Sequence, residues 1–275
     1  MGKIKSVTTK TTDKESGNCF TNSYIEYDQN GNETVSIDYD YDQTINAKNL
    51  TAYDTKNRRV ELKIFSDEDT VNETHFFEYF ADGKIMKETI VYFGDSKSIK
   101  TYEYADNRIT LTTVDENGDE EEKEIFVTDS DGNVLEHIVT DYDGEQTTHQ
   151  ISEFVNGKVV MTKSLDKHGR EINHRIFKYQ DDGKISFAGV LNPKKELLDS
   201  NSYQYDEKGR EILQTIGARG KITTEYDDEN LTCTSTTMSS SGRIVGQTVT
   251  TFNQDGRPVR EEDFTTIREF EYAYF

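Results

Sequence analysis

A turn marker returns about every 12 or 13 residues along this chain. Gly31, Asn57, Gly83, Asn107, Gly132, Gly157, Gly183 and Gly209, each flanked by Asp, Asn, Lys or Arg, follow one another at intervals of 24 to 26 residues. Gly256 comes 47 residues later, with Asn230 dividing that gap. Gly118, Gly144, Gly169, Gly220 and Gly242, with turn-like stretches at 66–70, 93–97 and 192–196, fall between them. Such spacing leaves segments of strand length, and no stretch keeps a helical apolar period over ten or more residues. The chain is therefore expected to be all-β. It reads as a long antiparallel meander of about twenty strands, built from hairpin repeats of about 25–26 residues as one domain over residues 1–275.

Only 32 % of the residues are hydrophobic, yet 16 Tyr, 14 Phe and just two Pro separate the chain from a solvated linker. Thr, Tyr, Val and Ile in short runs suit half-buried strands. Twist accumulates across many strands, and open sheets beyond about ten strands curl, close or split. A spiral, a shell or an elongated curved sheet is expected, its concave side taking the Tyr, Phe, Ile and Val side chains.

Asp82-Gly83, Asn117-Gly118, Asp131-Gly132, Asn156-Gly157, Asp182-Gly183 and Asp255-Gly256 read as two-residue turns whose members tolerate positive φ. A basic residue then reopens the strand, as in Lys84-Ile85 and Lys184-Ile185. In Arg170-Glu171-Ile172 and Arg210-Glu211-Ile212 the glutamate reads as an insertion, which needs a bulge to keep the strand's facing.

The element YQYDEKGREI, with Tyr203, Tyr205, Asp206, Gly209 and Arg210, resembles the signature of YD-repeat (RHS-type) proteins. YIEYDQNGNE matches it through Tyr24, Tyr27, Asp28 and Gly31, and TAYDTKNRRV and ITTEYDDENL are looser copies. The repeat here is longer than is common in that family, and several repeats replace the second Tyr or the Asp. The resemblance implies β-ribbons that spiral into shells, in bacterial surface or secreted proteins and around toxin cargo. A likeness to MORN-type repeats is weaker, because their small-residue pattern is missing.

Lys and Arg number 32 against 53 Asp and Glu, a formal net charge of −21. That balance argues against nucleic acid and anionic membranes as partners, and favours basic partners or cations. No apolar run approaches the roughly 18–20 residues of a spanning helix, so no membrane insertion is expected. The first residues hold no apolar signal core. The expected place is extracellular or at a cell surface, with the leader absent from this chain; a cytoplasmic protein is the alternative. Cys19 and Cys233 are too few for a disulfide framework or a zinc knuckle.

No nucleophile elbow, phosphate-binding loop, dinucleotide fingerprint or HExxH motif occurs. His75, His137, His149, His168 and His174 are not spaced as metal ligands. So many carboxylates make any glycosidase pair arbitrary, and the chain is read as a non-enzyme without a cofactor. Calcium is the one inorganic ligand considered. Asp129, Asp131 and Asn133 in DSDGN, and Asp141 and Asp143 in DYDG, gather hard oxygen donors, although turns call for the same residues. Tyr27, Tyr53, Tyr104, Tyr205 and Tyr226 are candidates for stacking on a partner. The expected function is non-catalytic: an extended acidic surface that binds a protein or polysaccharide partner. The alternatives are an acidic shell or immunity-type partner that encloses or neutralises a basic toxin, and a glycan-active enzyme.

Overall fold

The computed structural model describes residues 2–275, and these form 22 antiparallel strands with no helix. The first half holds β1 (Ile4–Asp13), β2 (Cys19–Tyr27), β3 (Glu33–Tyr39), β4 (Ile45–Tyr53), β5 (Arg59–Phe65), β6 (Val71–Tyr79), β7 (Ile85–Tyr92), β8 (Lys97–Ala105), β9 (Arg108–Asp115), β10 (Glu120–Thr128) and β11 (Val134–Asp141). The second half holds β12 (Gln146–Val155), β13 (Lys158–Leu165), β14 (Glu171–Tyr179), β15 (Ile185–Leu191), β16 (Leu197–Tyr205), β17 (Glu211–Ile216), β18 (Gly220–Asp227), β19 (Thr232–Ser239), β20 (Ile244–Phe252), β21 (Pro258–Glu262) and β22 (Thr266–Tyr274).

Each strand pairs with the next in sequence, and β22 returns to pair with β1 through Val7–Tyr272 and Thr9–Phe270. The meander is a closed barrel. Closure satisfies the edge that the aromatic C-terminal strand would otherwise leave open. Turns after even-numbered strands form one rim together with both chain ends, here called the terminal rim. Turns after odd-numbered strands form the far rim.

The barrel is hollow. No hydrophobic side chain among the described residues is fully buried. The accessible surface is 16976 Å², against about 12,000 Å² for a compact protein of this mass. Each strand touches only its two neighbours. The expected apolar concave layer is therefore corrected. Ile25, Leu62, Ile90 and Leu111 are half-buried on the face that carries Tyr79 and Tyr104, whereas Val35, Leu50, Ile125 and Ile151 are half-buried on the opposite face. Cohesion lies in the ladder and in cross-strand side-chain pairs, each of modest strength.

The turns also differ from expectation. The Asp206 N–H donates to the Arg210 carbonyl and the Gly209 N–H to the Asp206 carbonyl, both at 2.9 Å. Glu207 and Lys208 keep negative φ, and only Gly209 (φ 77°) is left-handed. This is a type I turn closed by a glycine bulge, a three-residue loop. Of the six pairs read as two-residue turns, Asn156-Gly157 alone has both residues at positive φ, 51° and 72°. Nor is Glu211 an insertion. Tyr205 faces Glu211 as Tyr79 faces Ile85, and Leu165 faces Glu171 across a turn of the same length. The bulge belongs to the repeat itself.

Candidate partner-binding site

Four of the five tyrosines singled out for a partner are engaged by the fold. The hydroxyls of Tyr53, Tyr104, Tyr205 and Tyr226 donate to the carbonyls of Glu33, Ile85, Ile185 and Glu211 at 3.0, 3.1, 2.9 and 3.2 Å. Tyr79, Tyr179 and Tyr272 do the same to Arg59, Val159 and Pro258 at 2.6, 2.7 and 2.8 Å. In each case a tyrosine near the end of an even strand reaches a carbonyl at the start of the strand before it. A basic residue from the preceding terminal-rim turn then covers the ring: Arg58 over Tyr79, Lys84 over Tyr104, Lys184 over Tyr205 and Arg210 over Tyr226. Tyr27 lies half-buried on the same face. The series joins neighbouring repeats, and Tyr79, Tyr104, Tyr205 and Tyr226 each carry a basic group over the ring.

The proposed oxygen donors divide between the two rims. Asp129 opens the turn after β10 and Asp141 the turn after β11, so the eight residues of β11, about 25 Å of strand, separate them. Asp129 Oδ1 accepts the N–H groups of Asp131 and Asn133, and its Oδ2 accepts the Asn133 side-chain amide. Asp141 Oδ1 likewise accepts the N–H groups of Asp143 and Glu145. The side-chain amide of Asn133 and these backbone bonds hold Asp129 below the usual carboxylate range. The five residues do not converge on one ion, and no cluster of three metal-ligating side chains occurs among the described residues.

Two polar clusters unnoticed in the sequence lie on the tyrosine face, one spanning β6 to β8 and the other β8 to β11. Both ring nitrogens of His75 meet carboxylates, Nδ1 with Glu88 Oε1 at 2.7 Å and Nε2 with Glu73 Oε2 at 3.0 Å. Tyr102 donates to Glu88 at 3.3 Å, and Lys100 and His137 share Glu124 at 3.4 Å each. The Phe126 ring stacks on His137 with centres 4.3 Å apart. The Glu88 carboxylate raises the His75 pKa, and burial together with Glu88 raises that of Tyr102. Acid and base here neutralise one another, which suits cohesion of a coreless wall.

The most exposed aromatic side chains lie on the far rim. Tyr41, Phe93, Tyr142 and Phe264 are between 61 % and 81 % exposed. Tyr41, Phe93 and Tyr142 stand at the first corner of their turns, after Asp40, Tyr92 and Asp141. Tyr41 and Tyr142 have no ladder partner there, the Phe93 N–H donates to the Asn72 carbonyl of β6 at 2.7 Å, and all three rings stand in solvent. Tyr41, Phe93 and Tyr142 recur every fourth strand, and exposed Leu197, Leu198, Ile244 and Val245 continue that interval at the starts of β16 and β20. Four strand spacings amount to about 19 Å along the rim. The sequence signal was available: Tyr41, Phe93 and Tyr142 are aromatics placed inside turns.

No family model matches the chain, and no curated protein matches it. Among solved structures it is similar to a porin-like protein from Bacteroides uniformis, at 8 % identity over 98 % of each chain and a TM-score of 0.35. It is also similar to a porin-like protein from Bacteroides vulgatus, at 14 % identity over 75 % of this chain and 100 % of that one, with a TM-score of 0.36. In a TcdB2-TccC3-Cdc42 structure the match covers 90 % of this chain but 16 % of the other, at 13 % identity and a TM-score of 0.28. All these scores lie below 0.5, and no functional reading rests on them.

Proposed function

We propose that the protein is a non-catalytic β-repeat ring, related in kind to YD-repeat proteins, that holds a protein or polysaccharide partner against its far rim at or outside a bacterial cell surface. The observation that carries this is the set of aromatic turn corners at Tyr41, Phe93 and Tyr142, exposed and evenly spaced on one rim. Exposed aromatic rings suit sugar faces and interface anchors alike. Even spacing suits a repetitive partner, because linked weak contacts multiply into avidity. Charge along both faces favours a ring in water over one embedded in lipid. Glu73, Glu88 and Lys100 sit on the tyrosine face and Lys63, Glu78 and Lys123 on the other, whereas a membrane barrel needs one apolar band.

The test combines Tyr41→Ser, Phe93→Ser and Tyr142→Ser. Retention on immobilised polysaccharides and on bacterial cell-wall fractions is expected to fall about tenfold or more, stepwise with each substitution, while the circular dichroism and Tm stay unchanged. Equal retention by the triple variant refutes the rim reading. A second reading, an acidic shell around a basic cargo, is favoured by the unfilled barrel and the net charge of −21. Co-purification of a basic protein released by salt supports it.

A further inference from the structure

We propose that a trough in the barrel wall, on β14, β15 and β16, binds one pyranose ring of a neutral glycan. Its construction follows from register. Arg175, Val190 and Asp199 form one cross-strand row, and Phe177, Ala188 and Asn201 form the next on the same face. The central strand supplies the short side chains Ala188 and Val190, while the flanking strands supply the longer ones. The result is a cleft of about 250 Å³ with a low floor and two walls.

Three of its side chains are unengaged. Arg175 is exposed and makes no ion pair among the described residues. The Phe177 ring has no aromatic or cationic partner among them, unlike Phe126 or Tyr226. Asn201 Oδ1 is shielded from water and has no hydrogen-bond partner, a costly arrangement in a free protein. Rotation of that amide toward the trough would let a donor brought by a ligand meet it. Asp199 accepts from the Ser200 N–H and from Arg219 Nη2 at 2.9 and 2.8 Å, and keeps further lone pairs.

An aromatic platform beside planar polar groups matches a sugar ring, which has an apolar C–H face and a rim of hydroxyls. Phe177 takes the face, Arg175 donates to hydroxyl oxygens, and Asp199 and Asn201 accept hydroxyl protons. The net charge of −21 repels an anionic ligand and selects a neutral one. The site goes beyond the rim reading, because it lies in the wall and stands or falls separately.

The test measures binding of maltohexaose, cellohexaose and mannohexaose to the full chain by calorimetry and saturation-transfer NMR, with a hexameric uronate as the charged control. Wild type is expected to bind at least one neutral oligosaccharide and to bind the uronate more weakly. Ala188→Leu, which fills the floor, and Phe177→Ala should each lower affinity about tenfold or more. Arg175→Met, at an exposed position, checks the trough should either variant fail to fold, and should also weaken binding. The triple rim variant should bind these soluble sugars as wild type does. No binding of any neutral oligosaccharide, preference for the uronate, or unchanged affinity in folded Ala188→Leu and Arg175→Met overturns the proposal. None of these outcomes alters the result of the rim experiment.

Discussion

The guanidinium carbon of Arg210 lies 4.0 Å from the centre of the Tyr226 ring, although the two belong to successive hairpins. Arg210 Nε also donates to Asp206 of its own turn at 2.8 Å, and Nη1 to Asp228 of the next turn at 2.6 Å. The arginine thus holds one repeat to the following one, and the Tyr226 hydroxyl closes the clasp on the Glu211 carbonyl. Tyr226→Phe keeps the stack and loses that bond, at an expected cost of about 0.5–1.5 kcal/mol. Arg210→Met should destabilise the protein less in a Tyr226→Leu background than in wild type, since the two share one contact. Urea unfolding of the four proteins of the cycle checks this, and strict additivity would rule the clasp out.

Acid should undo the turns. Backbone N–H groups, chiefly that of Arg170, hold Asp166 down to about 2, and those of Thr265 and Thr266 hold Asp263 at about 2. A carboxylate depressed in the folded state adds stability above its unfolded pKa and loses it as pH falls through the folded value. The stability curve is therefore expected to drop between about pH 4 and about pH 2. Asn192 and Asn253 already fill the same turn position and accept the same N–H bonds. Asp166→Asn should thus keep the turn and make the acid limb shallower, as read from denaturation midpoints against pH.

Glycine in these turns is required by φ and not by space. Gly132 sits at φ 84° with nothing near the position of a Cβ. Gly132→Ala should cost about 1 kcal/mol from backbone strain alone, and a β-branched residue more. Gly132→Asn should cost less, because Asn57 and Asn107 already adopt φ of 61° and 58° in their own turns. Thermal unfolding of the three variants orders them. A loss from Gly132→Asn equal to that from valine would contradict the assignment.

What could be read in advance was what local chemistry dictates. Asp206 and Gly209 announce their turn because a hydrogen-bonding side chain and a residue tolerant of positive φ are needed at the turns and not along the strands. Closure could not be read, since Val7 and Tyr272 meet from opposite ends of the chain and no local pattern prepares them. The tyrosine motif drew attention to side chains whose hydroxyls mostly bond within the fold, and away from Tyr41 and Tyr142, whose place inside a turn is the simpler sign of exposure. The trough was hidden for another reason. Setting Arg175 beside Val190 and Asp199 needs the register, and each hairpin bulge shifts that register by one residue.

His75 offers a test of the polar cluster on β6 to β8. Hydrogen bonding to Glu88, and more weakly to Glu73, raises its pKa against the opposing effect of burial, and the same contact lowers the pKa of Glu88. A raised histidine pKa adds stability that is complete below the unfolded value of about 6.5 and is lost as pH climbs through the folded one. Glu88→Gln should therefore lower the His75 pKa in an NMR titration. It should also narrow the stability difference between slightly acidic and alkaline solution. Lys100 and Glu124 belong to the second cluster and do not touch His75, so Lys100→Met should leave that titration nearly where it was. A His75 pKa unmoved by Glu88→Gln would assign the imidazolium to Glu73 alone and part the cluster at β7.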